Sequence, residues 1–134
     1  MKDPIFLRLD SYPMLARIVF LVTLTGVLLL ALLPVRFLPD LGMAVTFHDD
    51  KLNHAIAFVV LAALGSLGWP EHRAKLIFVL AFTGAAIEVL QGSQLIGRDL
   101  DGLDWVADCA GMALGLTIAG WTKRRVGRRV VGLS

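Results

Sequence analysis

The 134-residue chain is 57% hydrophobic and only 18% charged, with a mean hydropathy of +0.74, whereas a soluble domain carries roughly a quarter charged residues. That balance excludes an ordinary soluble domain and describes an integral membrane protein small enough to be a single unit, residues 1–134. The net charge of +2 is no signal for nucleic acid, because the charges are polarised along the chain and report orientation first. Cys109 is the only cysteine, which excludes an internal disulfide and a cysteine-based metal site.

In chain order, the first span is expected over about 14–33, closed by Pro34 and uncharged beyond Arg17, whose head group snorkels to the interface. A cleaved signal peptide is not expected, since Asp3 and Asp10 dilute the positive start and no small-residue cleavage site follows. The loop over 34–50 carries Phe37, Leu38, Leu41, Met43, Val45 and Phe47, enough apolar surface to lie on the membrane or fold over the bundle. The second span is expected over about 52–69, closed by Pro70, the third over about 74–92 and the fourth over about 103–121. The result is an all-α, four-helix transmembrane bundle with both termini on one side.

Lys2, Arg8, Arg17, Arg73, Lys75, Lys123, Arg124, Arg125, Arg128 and Arg129 fall on the side of the termini, and Arg36, Lys51 and Arg98 on the other. The positive-inside rule then puts both termini in the cytoplasm. Trp69 and Trp121 reach the inner interface and Trp105 the outer, as an aromatic belt requires. The basic segment 123–129 reads as a topology determinant that also touches anionic lipid.

The ionisable residues of the later spans gather at the opposite, outer end. Such residues inside a membrane usually face one another or a water-filled cavity. Asp50, Lys51 and His54 share one face of the second helix, with Asp49 or Asp50 capping its start. Glu88 lies deep in the third span, and Gln91 follows on the same face. Arg98, Asp101 and Asp104 lead into the fourth span, with Asp101 the N-cap. Asp108 lies one turn deeper than Asp104, about 6 Å along the axis, where capping has no part. Gly111 and Gly115 continue this face and would let the fourth helix approach its neighbours closely, bringing Asp104 and Asp108 to Glu88. His54, Glu88 and Asp108 are hardest to assign to capping or solvation.

The ordered pattern Asp50-Lys51-x-x-His54-x-x-x-Phe58, Glu88-x-x-Gln91, and Arg98-x-x-Asp101-x-x-Asp104-x-x-x-Asp108-x-x-Gly111 resembles the VanZ-like family of small bacterial membrane proteins. The resemblance covers about 50–115, half the chain, and departs from the pattern at Asp108, where members commonly carry Asn. It implies a bacterial inner-membrane protein with an outward-facing polar site. The family's namesake is associated with low-level resistance to the glycopeptide teicoplanin, and no chemical activity is established for the family.

Three uses of these groups differ in what they require. In ligand handling, Lys51 and Arg98 hold phosphate while the carboxylates bind hydroxyls or amines of a lipid headgroup, a lipid-linked sugar or a cell-wall precursor. Catalysis would need a raised carboxyl pKa or a poised histidine. Divalent-metal coordination requires the oxygens and the imidazole to converge, and no His or Cys spacing marks a zinc site, so no metal or cofactor is assigned. Proton relay or transport requires ionisable groups in the inner half, which spans two to four lack. As an accessory subunit of a larger membrane complex, the chain would use the polar cluster only to lock its own helices, packing through Gly65, Gly68, Gly84, Gly111 and Gly115.

Overall fold

The computed structural model describes residues 4–34, 37, 50–96 and 100–131, with side chains described for 12–34, 37, 51–96 and 100–125. Four helices make up the fold, α1 (Pro4–Leu32), α2 (Asp50–Gly68), α3 (Arg73–Gln91) and α4 (Gly102–Val131), and there is no strand among the described residues. All four are long and apolar enough to cross a membrane, over Tyr12–Leu32, Lys51–Gly68, Pro70–Gln91 and Gly102–Arg125.

Local chemistry explains where the helices stop. Helix α1 ends two residues before Pro34, and α2 ends before Pro70, whose ring cannot continue the ladder and instead opens a 3₁₀ turn, Pro70–His72. Gly92 closes α3, its N–H bonded to the Glu88 carbonyl at 3.1 Å. Asp101 is the N-cap of α4: its Oδ1 accepts the Leu103 N–H at 2.9 Å. Two helices run further than hydropathy indicates. Helix α1 begins at Pro4, before the expected span at 14, with Pro13 inside it. Helix α4 continues ten residues past Trp121 through the basic segment, because Lys and Arg are good helix formers even where they are too polar for the bilayer.

Helix α2 is central. Its face of Phe58, Leu61 and Ala62 joins Phe20 of α1, Leu76, Leu80 and Ile87 of α3 and Met112 of α4 in one core. The α2–α4 seam is closed by glycines: a Cβ at Gly111 would collide with the Ala55 carbonyl, and one at Gly115 with the Val59 carbonyl. The Gly111–Gly115 track therefore presses α4 onto α2, the neighbour that the sequence left unspecified. Gly65 makes the corresponding room on α2 for Leu76 of α3. Helix α1 is the outlier, with only 11% of its span buried, so most of its surface faces whatever surrounds the bundle.

Neighbouring helices alternate in direction, so two ends can be distinguished. At one, Arg17 of α1 donates from Nε to the Gly68 carbonyl at 2.7 Å, satisfying an orphan acceptor at the end of α2. Its guanidinium also lies 5.4 Å from the Trp69 ring centroid, which packs edge-on against Phe20. Arg17 thus staples α1 to α2 at the place where the sequence suggested simple snorkelling. The other end, where α2 and α4 start and α3 finishes, is polar.

Candidate functional site

The buried faces of α2, α3 and α4 are apolar for most of their length and turn polar at this shared end. Six buried polar or charged side chains occur among the described residues: His54, Ser66, Glu88, Gln91, Asp104 and Asp108. All except Ser66 belong to the polar end. Helical spacing accounts for the arrangement. Asp104 and Asp108 are one turn apart on the stripe that continues through Gly111 and Gly115, while His54 and Phe58 are one turn apart on α2. Since α4 is pressed against α2 by the glycines, Asp108 falls opposite His54.

The central contact is between these two. His54 Nδ1 lies 2.9 Å from Asp108 Oδ1, with both side chains buried. An ionised Asp108 accepts the Nδ1–H, which makes Nε2 the basic nitrogen of a neutral ring. Glu88 Oε1 is 3.9 Å from the same Nδ1, too far for a hydrogen bond. Gly84, one turn before Glu88 on α3, has no side chain where Asp108 needs space: a Cβ there would lie 2.6 Å from Asp108 Oδ2 and 3.2 Å from Trp105 Cδ1. Trp105 in turn donates from Nε1 to the Ala81 carbonyl at 3.0 Å, fixing α4 against α3.

Lys51 forms the rim. Its Nζ is 2.6 Å from Asp101 Oδ2 and 3.2 Å from Asp104 Oδ1, the second contact lacking hydrogen-bond geometry. The Lys51 hydrogen bond and, after it, the Leu103 N–H hold the Asp101 carboxyl below its ordinary pKa. Lys51 and Asp101 are partly exposed, while Asp104 below them is buried. The cluster is therefore roofed by a surface ion pair.

Glu88 stands apart. It is only 4% exposed, and neither of its carboxylate oxygens has a hydrogen-bond partner. Buried polar groups are nearly always paired, since an unsatisfied one costs about 1–3 kcal/mol and a charge more. The charge balance points the same way. Four described carboxyl groups here, Glu88, Asp101, Asp104 and Asp108, face one ammonium, Lys51, and one titratable imidazole, His54. Carboxyl groups this close in a low-dielectric setting raise one another's affinity for protons or cations.

His54, Glu88, Asp104, Asp108, Lys51 and Asp101 are thus brought together. Gln91 is not part of that group in the way its spacing implied: it is buried, but its Nε2 donates to the Ala31 carbonyl of α1 at 3.0 Å, satisfying the end of that helix. The reason is that Gln91 lies three residues on from Glu88, a rotation that turns it toward α1. Asp50 opens α2, but its side chain lies outside the described residues, as do Asp49 and Arg98. Two features were not singled out from sequence in this connection, Gly84 within the site and Ser66 outside it. Gly84 was legible in principle as a small residue four before a buried acid, on the same face. Ser66, fully buried on α2 with its Oγ unpaired, gives no pattern beyond a lone hydroxyl in an apolar helix.

A groove of about 450 Å³ occupies the opposite end, lined by Phe20, Trp69, His72, Lys75, Leu76 and Val79, and contains none of the cluster residues. It is an apolar crevice between helices, and the chemistry lies elsewhere.

The fold and site together describe a class: a four-helix protein with the spans of a multi-pass membrane protein and a buried imidazole–carboxylate cluster at one end of its bundle. No family model matches the chain, and neither does any curated protein or solved structure.

Proposed function

We propose that this chain is a bacterial inner-membrane protein of the VanZ-like type whose cluster opens to the outer face, with both termini cytoplasmic, and binds the headgroup of a lipid or cell-envelope precursor. The observation that carries the proposal is Glu88, buried with neither oxygen hydrogen-bonded and the His54 ring facing it at 3.9 Å. A group kept in that state serves something other than the fold, because Gln of the same shape would spare the fold a buried charge. The excess of carboxyl groups among the described residues favours a ligand with a cationic or hydrogen-bond-donating part. Lys51 at the rim supplies a counter-charge for phosphate. The ordered motifs from Asp50 to Gly111 support the family reading, and the charge asymmetry of the loops supports the orientation.

The test is to extract wild-type protein and Glu88→Gln from membranes in their native lipid and identify bound molecules by native mass spectrometry. The expected result is an amine- or amino-sugar-bearing lipid or precursor retained by the wild type and lost from an equally folded Glu88→Gln. Identical bound lipid in both proteins contradicts the proposal.

A second reading has its own support. The His54–Asp108 bond ties α2 to α4, and the Gln91–Ala31 bond ties α3 to α1, as a subunit that locks its helices and packs beside a larger complex would require. It predicts a stoichiometric protein partner and no effect of Glu88→Gln on any bound molecule. Transport is disfavoured by the rest of the interior. Ser66 is the only other buried polar side chain among the described residues, and one hydroxyl is no route for a charge.

A further inference from the structure

Three groups in the cluster have a geometry that a headgroup alone does not require. One ring nitrogen of His54, one oxygen of Glu88 and one of Asp104 all lie within 4.8 Å of one another, and all three residues are buried. For a triangle with edges of 4.8 Å or less, some point lies within about 2.8 Å of every corner. Metal–nitrogen and metal–oxygen distances are about 2.0–2.2 Å, so side-chain shifts of about 0.6–0.8 Å close the set. Helices α2, α3 and α4 each contribute one ligand, so the packing of the bundle presets the separations.

We propose that His54, Glu88 and Asp104 hold a divalent transition cation of the Mn²⁺ or Zn²⁺ class just beneath the Lys51–Asp101 rim. This deepens the headgroup reading and rests on it, the cation being the link to a ligand's phosphate. The donor set carries the argument together with the state of Glu88. One imidazole and two carboxylates suit Mn²⁺, Fe²⁺ or Zn²⁺ better than Mg²⁺ or Ca²⁺, which favour oxygen alone. Glu88, buried with neither oxygen hydrogen-bonded, has lone pairs to offer an ion. Asp108 lies outside the ligand set: its Oδ1 is 2.9 Å from His54 Nδ1, a contact that holds the ring in place.

Lys51 gives the proposal an independent handle. Its ammonium sits 3.2 Å from Asp104 Oδ1 and repels any cation bound there, yet it has Asp101 as an alternative partner at 2.6 Å. A cation therefore displaces Lys51 from Asp104 and leaves it on Asp101, and Lys51→Met tightens cation binding. A cluster that merely locks the helices has no means of producing that gain.

The experiment uses the full chain, purified in detergent and stripped with chelator, titrated with Mn²⁺ followed by electron paramagnetic resonance and with Zn²⁺ followed by calorimetry. Wild type is expected to bind one ion, Glu88→Gln and Asp104→Asn to bind about 10–100-fold more weakly or not at all, and Lys51→Met to bind more tightly than wild type. Size-exclusion profile and helical circular dichroism establish that each variant is folded. Absence of saturable binding to folded wild type overturns the proposal. So does binding unchanged in Glu88→Gln and Asp104→Asn, or binding weakened in Lys51→Met. Native mass spectrometry of the same samples separates the two levels: a headgroup retained by chelated protein leaves the headgroup reading standing while the cation falls.

Discussion

His54 and Asp108 are the pair on which the polar end depends, because each removes from the other the cost of being buried. Replacing Asp108 by Ala deprives the ring of that acceptor and opens space beside Gly84, so unfolding in mixed micelles should show a loss of about 2–4 kcal/mol. Asp108→Asn keeps an acceptor oxygen for Nδ1–H and should stay within about 1 kcal/mol of wild type. Equal losses in the two variants would mean that the charge and not the hydrogen bond holds α2 to α4. The rim behaves differently. Asp101 is depressed by its contact with Lys51, so its stabilising effect is present above the unfolded pKa and fades as pH falls through the lower folded value. Carboxyl NMR should therefore give Asp101 a midpoint below the ordinary 3.8, moving up in Lys51→Ala; a midpoint at or above the ordinary value would remove the rim pair from the account. From sequence, the residues of this end were legible because membrane interiors make each charge conspicuous. Their partners were not, since Gln91 and Glu88 share a helical stripe yet serve different neighbours.

Helix boundaries were the most legible feature at the next scale. Helices α2 and α3 start and end within two residues of the spans read from hydropathy, because Pro70 and Gly92 punctuate them and Asp101 opens the next. The extensions of α1 to Pro4 and of α4 to Val131 were hidden, since hydropathy marks what the bilayer accepts and not what remains helical. Helix pairing was only half visible. The glycine track on α4 announced a close approach, but nothing in one helix names its partner. That partner is α2, where the Ala55 and Val59 carbonyls occupy the space of the missing side chains. Gly111→Ala and Gly115→Ala should each destabilise the bundle by about 1–3 kcal/mol, because backbone gives way less readily than a side chain. Gly26→Ala in α1 meets nothing within 4 Å and should stabilise by about 0.5–1 kcal/mol. Thermal unfolding of the three variants checks the contrast, and a neutral Gly111→Ala would mean that the α2–α4 seam is looser than described.

For the molecule as a whole, the bundle concentrates its polar chemistry at one end and surrounds the remainder with apolar surface such as Phe78, Phe82 and Val22. The proposed orientation rests on loop charge, and a single cysteine tests it. In a Cys109→Ala background, cysteine at Leu95, which is 87% exposed between α3 and α4, should react with an impermeant maleimide added outside spheroplasts, whereas one at Ser134 should not. The reverse pattern would place the cluster toward the cytoplasm and remove the outer-face ligand. The central claim is that Glu88 is held in the cluster for a ligand and not for the fold. Its most direct test is the unfolding free energy of Glu88→Gln against wild type in detergent with chelator. Equal or greater stability is expected for the variant, because a buried acid without hydrogen-bond partners is exchanged for a neutral group of the same shape. A loss comparable to that of Asp108→Ala would show that Glu88 is a strut of the bundle, contradicting the account.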